Sequence, residues 1–401
     1  MSIERPIAEH QMLGLLEWLS GNECPDDEAK LIGGLGERLR ALPLSVDCIA
    51  LYLRTLHPEF RARIIVWSLN APIKIYDREH TTQHIAAFAG SPIREVMETG
   101  EWRRVRADTE AEVFNRLEIF RDRRIAELLI APLPNGHGVV SAVSFGTSLA
   151  RGYTIAERRT LKRILPTLCG ACELRVLRHT VATLLNTYVG QATGQRILAG
   201  HVRRGDAESL EAALLLCDLH DFTGLSNRLP ANRVLERLNF YFDQVVPAIT
   251  ANGGEILKFI GDAVLAFFQS EKEPAANCAA AFIAANTIHA RLADVSTDTD
   301  IVSAGIALHH GEVSYGNIGS GLRLDFTVVG RDVNLVSRIQ GLCGATGHSL
   351  LMSARFNALL GGESCHSIGR YTVKGFAEPV ELFSTAPENS RLPTSPSPTE
   401  A

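Results

Sequence analysis

Two strand-like runs facing each other across a Gly-Asp pair constrain this chain more than any other feature. Glu255-Ile256-Leu257-Lys258-Phe259-Ile260 and Ala263-Val264-Leu265-Ala266-Phe267-Phe268 flank Gly261-Asp262. Apolar, aromatic-containing runs joined by two residues, one of them glycine, read as a β-hairpin. A further apolar run, Ala213-Leu214-Leu215-Leu216-Cys217, ends in Asp218. If that strand neighbours the hairpin, Asp218 and Asp262 converge. Two convergent carboxylates are hard oxygen donors suited to Mg²⁺ or Mn²⁺ beside phosphates, where the metal keeps few protein ligands. Taken singly, each aspartate reads as an ordinary turn residue.

The elements around the hairpin point to an α+β domain. Residues 231–251 place Val234, Leu235, Leu238, Phe242, Val245 and Ile249 on one helical face and stop at Gly253-Gly254. A second helix is expected over 275–292, strands around 301–308 and 325–329, and a helix over 331–342. Strand, helix, hairpin, helix and strand read as an antiparallel sheet with helices on one face.

The N-terminal part mixes helical and extended patterns. Residues 31–42 read as an amphipathic helix, and 49–54 and 64–69 as strands. An apolar strand over 139–145 follows the turn Pro134-Asn135-Gly136-His137-Gly138. Thr154, with Glu157 three residues on, is a capping box that opens a helix. From Glu173 to about His201 the chain reads as a helical connector interrupted near Gly190 and Gly194. Leu174, Leu177, Val181, Leu184 and Leu185 form one stripe on it. Such a stripe fits packing on its own domain, and equally a parallel two-helix seam with a second copy. The expected organisation is therefore a regulatory domain (1–175), a helical connector (176–205), a catalytic domain (206–386) and a tail rich in Pro, Ser and Thr, expected to be disordered (387–401).

At 401 residues the chain has the length of two domains. A net charge of −5 argues against the basic face of a general nucleic-acid binder. The start, Met1-Ser2-Ile3-Glu4-Arg5-Pro6, carries charges and lacks the apolar core of a secretory signal. The longest weakly polar stretch, 275–290, contains Asn277, Asn286, Thr287 and His289 and falls short of the roughly 20 apolar residues of a spanning helix. A soluble, cytoplasmic protein is expected, with no membrane span and no nucleic-acid partner. Cys169 and Cys172 have the spacing of a redox or metal pair. Without a second pair or a His cluster they read as two buried small residues. No Gly-x-x-x-x-Gly-Lys-Ser/Thr phosphate loop is present.

Four more segments complete the pattern. They are Gly305-Ile306-Ala307-Leu308-His309-His310-Gly311-Glu312-Val313, Gly316-Asn317-Ile318-Gly319, the run from Arg323-Leu324-Asp325-Phe326-Thr327-Val328-Val329-Gly330 to Arg331-Asp332-Val333-Asn334-Leu335-Val336-Ser337-Arg338, and Val373-Lys374-Gly375-Phe376. With the Asp218 and Asp262 segments, in this order, they closely resemble the class III nucleotidyl cyclase catalytic domain, the adenylate and guanylate cyclase family. The resemblance runs from about Leu214 to Phe383 and implies a ferredoxin-like α+β fold. The strand, glycine-containing break and long helix that close the N-terminal part resemble the end of a GAF-like, mixed α/β sensory domain; PAS-like and other folds stay open.

The resemblance implies attack of a ribose 3′-hydroxyl on the α-phosphorus of a nucleoside triphosphate, giving a cyclic nucleotide and pyrophosphate. It assigns two Mg²⁺ or Mn²⁺ ions per site to Asp218, Asp262 and the main-chain carbonyl of Leu219. Lys258 and Asp325 match the base-reading positions. A lysine only donates and an ionised aspartate only accepts, which suits the N1 and amino group of adenine and mismatches guanine. Asn334 and Arg338, one helical turn apart, match the residues that orient the ribose and meet the reacting phosphorus. Lys374 matches a phosphate contact. Asp221 stands where the family commonly has glycine and reads as a solvated turn residue, and His309 and His310 read as structural. In the family the metal and base residues come from one chain and the Asn and Arg from its partner, so a homodimer is implied and the connector stripe is better placed as a seam. The reading is an ATP-specific adenylate cyclase, regulated by a small-molecule or protein effector at the N-terminal domain. A guanylate cyclase and a non-catalytic sensor or scaffold are the alternatives.

Overall fold

The computed structural model describes residues 8–21, 23–81, 88–120, 123–134, 141–269, 273–297, 302–362 and 365–385. The chain start (1–6), the turn residues 135–138 and the tail (387–401) lie outside the described residues, as do positions 139 and 140 of the strand expected at 139–145. The chain divides into two compact units, Met1–Thr187 and Tyr188–Ala401.

The first unit is built on a six-stranded sheet of β1 (Cys48–Arg54), β2 (Phe60–Ser68), β3 (Ala71–Glu79), β4 (Arg103–Arg106), β5 (Glu127–Leu133) and β6 (Ser141–Thr147). The strand order is β3-β2-β1-β6-β5-β4, and every neighbouring pair is antiparallel. Side chains alternate across a strand, and β1 is buried on both faces. Ile49, Leu51 and Leu53 pack with Leu31, Leu35 and Leu39 of the helix Glu28–Ala41 and with Leu161, Ile164 and Leu168 of the helix Ile155–Val189. Cys48, Ala50 and Tyr52 face the other way, toward Ile93 and Val96 of the helix Pro92–Thr99. Each fully buried leucine in such a core contributes about 2 kcal/mol through area removed from water.

The capping box forms as the sequence implies. Glu157 Oε2 accepts the Thr154 N–H at 2.7 Å, and Thr154 Oγ1 accepts the Glu157 N–H at 3.2 Å. The helix it opens runs unbroken for 35 residues to Val189. Gly190, at φ +88°, ends it and leads into the helix Gln191–Leu198. Gly194 is no interruption; it lies inside that second helix, and its N–H bonds to the Gly190 carbonyl at 2.9 Å. All eight cysteines are free; Cys172 is buried, and half-buried Cys169 donates its thiol to the Pro134 carbonyl at 2.9 Å.

The second unit holds an eight-stranded sheet of β7 (Ala207–Leu219), β8 (Glu255–Ile260), β9 (Ala263–Phe268), β10 (Ala304–Gly319), β11 (Leu324–Val329), β12 (Leu350–Ser353), β13 (Cys365–Tyr371) and β14 (Val380–Thr385). Its order is β13-β14-β12-β10-β7-β9-β8, with β11 also paired to β10. The hairpin and the helix Ala231–Ala251 fall at the expected residues. The strand expected at 301–308 is longer, sixteen residues from Ala304 to Gly319. It runs antiparallel to β7 and parallel to β12, so the sheet is mixed.

Helices cover both faces rather than one. Ala213, Leu215 and Cys217 point to the helices Ala231–Ala251 and Pro274–Val295, through Tyr241, Val245, Ala281 and Ile288. Leu214 and Leu216 point to the opposite side and pack with Leu335, Val336 and Ile339 of the helix Arg331–Gln340. No helix among the described residues is long and apolar enough to cross a membrane.

Candidate active site

The register of β7 on β9 places Cys217 opposite Val264, so Asp218 at the strand end meets the hairpin tip carrying Asp262. Gly261 turns that tip at φ +66°, a conformation that costs glycine nothing. The two carboxylates are in hydrogen-bonding contact, and Asp218 is pushed up to about 7. Burial is the main cause, followed by the hydrogen bond to Asp262 and its like charge. The Leu219 N–H and Gln340 Nε2, the latter 3.4 Å from Asp218 Oδ2, partly offset this.

Two half-buried carboxylates that repel each other form a site that a divalent cation relieves. The donor set also fits: carboxylate oxygens and a main-chain carbonyl at a strand end are hard ligands, and among the described residues no group of three His, Cys, Asp or Glu forms a closed metal cage. A cation held here keeps positions for substrate oxygens.

Lys258 on β8 and Asp325 on β11 form an ion pair through Nζ and Oδ2. Asn334 and Arg338 lie on the exposed face of the helix Arg331–Gln340, opposite Leu335, Val336 and Ile339. Neither pairs with Asp218, Asp262, Lys258 or Asp325 among the described residues. Lys374 is exposed in a turn after β13, beside Gly375 at φ +91°, rather than within a strand. Asp221 is exposed in a left-handed conformation, φ 55°, and accepts from Arg228 Nη2 at 2.8 Å, as a solvated turn residue does.

The structure adds a network that the sequence does not signal. His309 is buried, with Nδ1 2.7 Å from the Ser353 hydroxyl and Nε2 3.3 Å from Asp332 Oδ1. Asp332 Oδ2 accepts the Glu312 N–H at 2.8 Å. These bonds fix the first turn of the helix that carries Asn334 and Arg338, and a Cβ at Gly311 would collide with the Asp332 carboxylate. Gln340 contacts Asp218 at the other end of the same helix. The local sequence gives no sign of the Asp332 partners, which lie on another strand. His310 points to the opposite face and is buried, which pushes its pKa down.

His309 holds the Asp332 carboxyl below its usual range. A carboxylate with a depressed folded pKa contributes stability above its unfolded pKa of about 3.9 and loses it as pH falls through the folded value. Asp332→Asn is therefore expected to cost about 1–2 kcal/mol at pH 7, and the difference from the parent protein closes below pH about 3.8. Urea unfolding at pH 7 and at pH 3 measures this.

Comparison with known proteins follows this geometry. Residues 207–385 match the sequence profile of the Adenylate and Guanylate cyclase catalytic domain. An uncharacterized protein of Mycobacterium tuberculosis is 32% identical over 210 residues, covering 52% of this chain and 37% of that protein. The adenylate cyclase of Anabaena cylindrica is 31% identical over 157 residues, covering 38% of this chain and 31% of the relative. Among solved structures, the adenylyl cyclase CyaB of P. aeruginosa is 26% identical with a TM-score of 0.41, covering 46% of this chain and 98% of that one. The match thus spans little more than a third of the length of the curated relatives. Residues 207–385, a little under half of the chain, are thus similar to a nucleotidyl cyclase catalytic domain.

Proposed function

We propose that this protein is an adenylate cyclase that converts ATP to 3′,5′-cyclic AMP and pyrophosphate at sites shared by two copies of the chain. The observation that carries the reading is the convergence of Asp218 and Asp262, where burial first and the neighbouring carboxylate second push Asp218 up to about 7. Asp218, Asp262 and the Leu219 carbonyl would hold Mg²⁺ or Mn²⁺, which on binding supplies activation of the ribose hydroxyl and neutralisation of the phosphates. In the reaction the 3′-oxygen bonds to the α-phosphorus, the bond to pyrophosphate breaks, and the hydroxyl proton is lost.

The residues of the chain position that exchange. Lys258 donates to N1 of adenine while Asp325 accepts from its amino group; the ion pair between the two side chains supports this reading. Asn334 and Arg338 are exposed and apart from this set, as expected of groups offered to the site of a second copy. There Asn334 orients the ribose and Arg338 neutralises charge developing on the phosphorus. Lys374 is assigned to the phosphates. The N-terminal unit is assigned a regulatory, GAF-like role with an effector of its own.

Purified protein with Mn²⁺ is expected to form cyclic AMP from ATP and little cyclic GMP from GTP. Cyclic GMP as the main product would make it a guanylate cyclase, and no product from either nucleotide would leave a scaffold. Lys258→Ala and Asp325→Ala are each expected to lower kcat/KM for ATP about tenfold to a hundredfold by leaving the adenine edge unpaired. Steady-state kinetics with both nucleotides checks the size and the direction.

A further inference from the structure

The helix Arg331–Gln340 starts without a cap of its own. Gly330 precedes it and has no side chain to accept its first free N–H groups. Leu335, Val336 and Ile339 bury one face of it against the sheet. Apolar burial is non-directional: it decides which face points inward and fixes sliding and tilt only weakly. Directional contacts at the two ends supply the rest. At the far end Gln340 reaches Asp218 at 3.4 Å. At the start the anchor is Asp332, whose carboxylate lies 3.3 Å from His309 Nε2 and accepts the Glu312 N–H at 2.8 Å.

His309 is itself held in place. It is buried on β10, with Nδ1 2.7 Å from the Ser353 hydroxyl at the end of β12. Ser353 Oγ also accepts the Phe356 N–H at 3.3 Å, as the cap of the helix Ala354–Leu360. Ionised Asp332 can only accept, so the imidazole proton that faces it sits on Nε2. Gly311, between His309 and Glu312, leaves the space that Asp332 fills. A Cβ there would lie 2.1 Å from Asp332 Oδ2 and 2.6 Å from Asp332 Cβ, too close to be relieved by turning the carboxylate alone.

We propose that His309 is a positioning residue of the cyclase reaction: through Asp332 it sets where the start of this helix lies, and with it the reach of Asn334 and Arg338. The proposal rests on the reading that these two residues serve the site of a second copy. Asn334 follows Asp332 by two residues and Arg338 by six, and both are exposed on the helix. A guanidinium that meets charge only as it develops acts in the transition state, so a displaced helix lowers kcat more than it raises KM.

Steady-state kinetics of the full chain with Mn²⁺ and ATP tests this. His309→Leu is expected to lower kcat at least about tenfold with KM within about twofold of the parent, since misplacement by about 1 Å costs up to about a hundredfold. Gly311→Ala pushes Asp332 off the strand from the other side and gives the same pattern. The two together cost little more than either alone, because they break one link. His309→Gln keeps an amide donor for Asp332 and returns kcat to within about threefold of the parent. Thermal unfolding confirms that each variant is folded.

Mixing chains separates positioning from general damage. His309→Leu with Asp218→Ala chains raises product formation, since each mixed dimer holds one site without a defect. His309→Leu with Arg338→Ala chains leaves no such site, and product stays low. Unchanged kcat in folded His309→Leu, a loss carried by KM, or rescue by Arg338→Ala overturns the positioning role and leaves the cyclase reading standing. A parent chain that forms no cyclic nucleotide removes that reading instead. Amide exchange over residues 331–340 then decides on the clasp without any nucleotide: faster exchange in His309→Leu supports it, and unchanged protection overturns it.

Discussion

Asp262→Ala is expected to lower cyclic nucleotide formation on the order of a thousandfold or more, to the limit of detection, while leaving the dimer intact. Asp262 is half-buried at the hairpin tip and belongs to neither apolar cluster of its unit, so alanine removes no core contact. What it removes is half of the carboxylate pair, and a lone carboxylate with one carbonyl is a poor site for divalent ions beside a triphosphate. Thermal unfolding separates this from simple damage. In the parent protein Mn²⁺ raises the melting temperature by binding the folded state, and in Asp262→Ala that rise is lost. Without metal the sign reverses. Asp218 is pushed up to about 7 in part by the charge of Asp262, so Asp262→Asn relieves a repulsion and raises the metal-free melting temperature by a few degrees at neutral pH. An Asp262→Ala protein that turns over normally, or that still gains stability from Mn²⁺, removes the assignment.

Asp218→Ala and Arg338→Ala chains, each inactive alone, are expected to regain activity when mixed. If Asp218 serves one site and Arg338 the site of the other copy, a mixed dimer has one site with both defects and one with neither. Random pairing at equal amounts makes half the dimers mixed, each with one good site of two, so about a quarter of the parent activity returns. If both residues served a site within one chain, every site would carry one defect and mixing would restore nothing. The exposure of Arg338 on the helix face opposite Leu335, Val336 and Ile339 is what leads us to expect the first result. Product formed across a titration of one variant against the other reads it directly.

Much of the catalytic domain was legible because its signals are local. The hairpin follows from two apolar runs and a glycine that tolerates a positive φ, and the helix Ala231–Ala251 from apolar spacing closed by Gly253. Thr154 and Glu157 announced a helix start because a capping box spans only four residues. β10 was harder. Only 301–308 reads as a strand, yet β10 runs on through Gly311 and Gly316, where a neighbour leaves no room for a Cβ: the Asp332 carboxylate at Gly311, and the backbone of Asp206 and Ala207 at Gly316. β12, β13 and β14 carry little apolar alternation and gain their place only through pairing with one another and, for β12, with β10.

The sequence by itself determined the local elements, the hairpin around Gly261-Asp262, the helix start at Thr154 and the helical turn that carries Asn334 and Arg338, since each is a short run of residue types at fixed spacing. Tertiary structure alone decided that Asp218 and Asp262 touch, that the Asn334 helix lies across the sheet from the two long helices, and that His309 anchors its first turn through Asp332. Those facts depend on which strands lie side by side. Strand order is set by burial summed over the whole sheet, between residues as far apart in sequence as Ala213 and Phe383, and a local pattern carries no record of it.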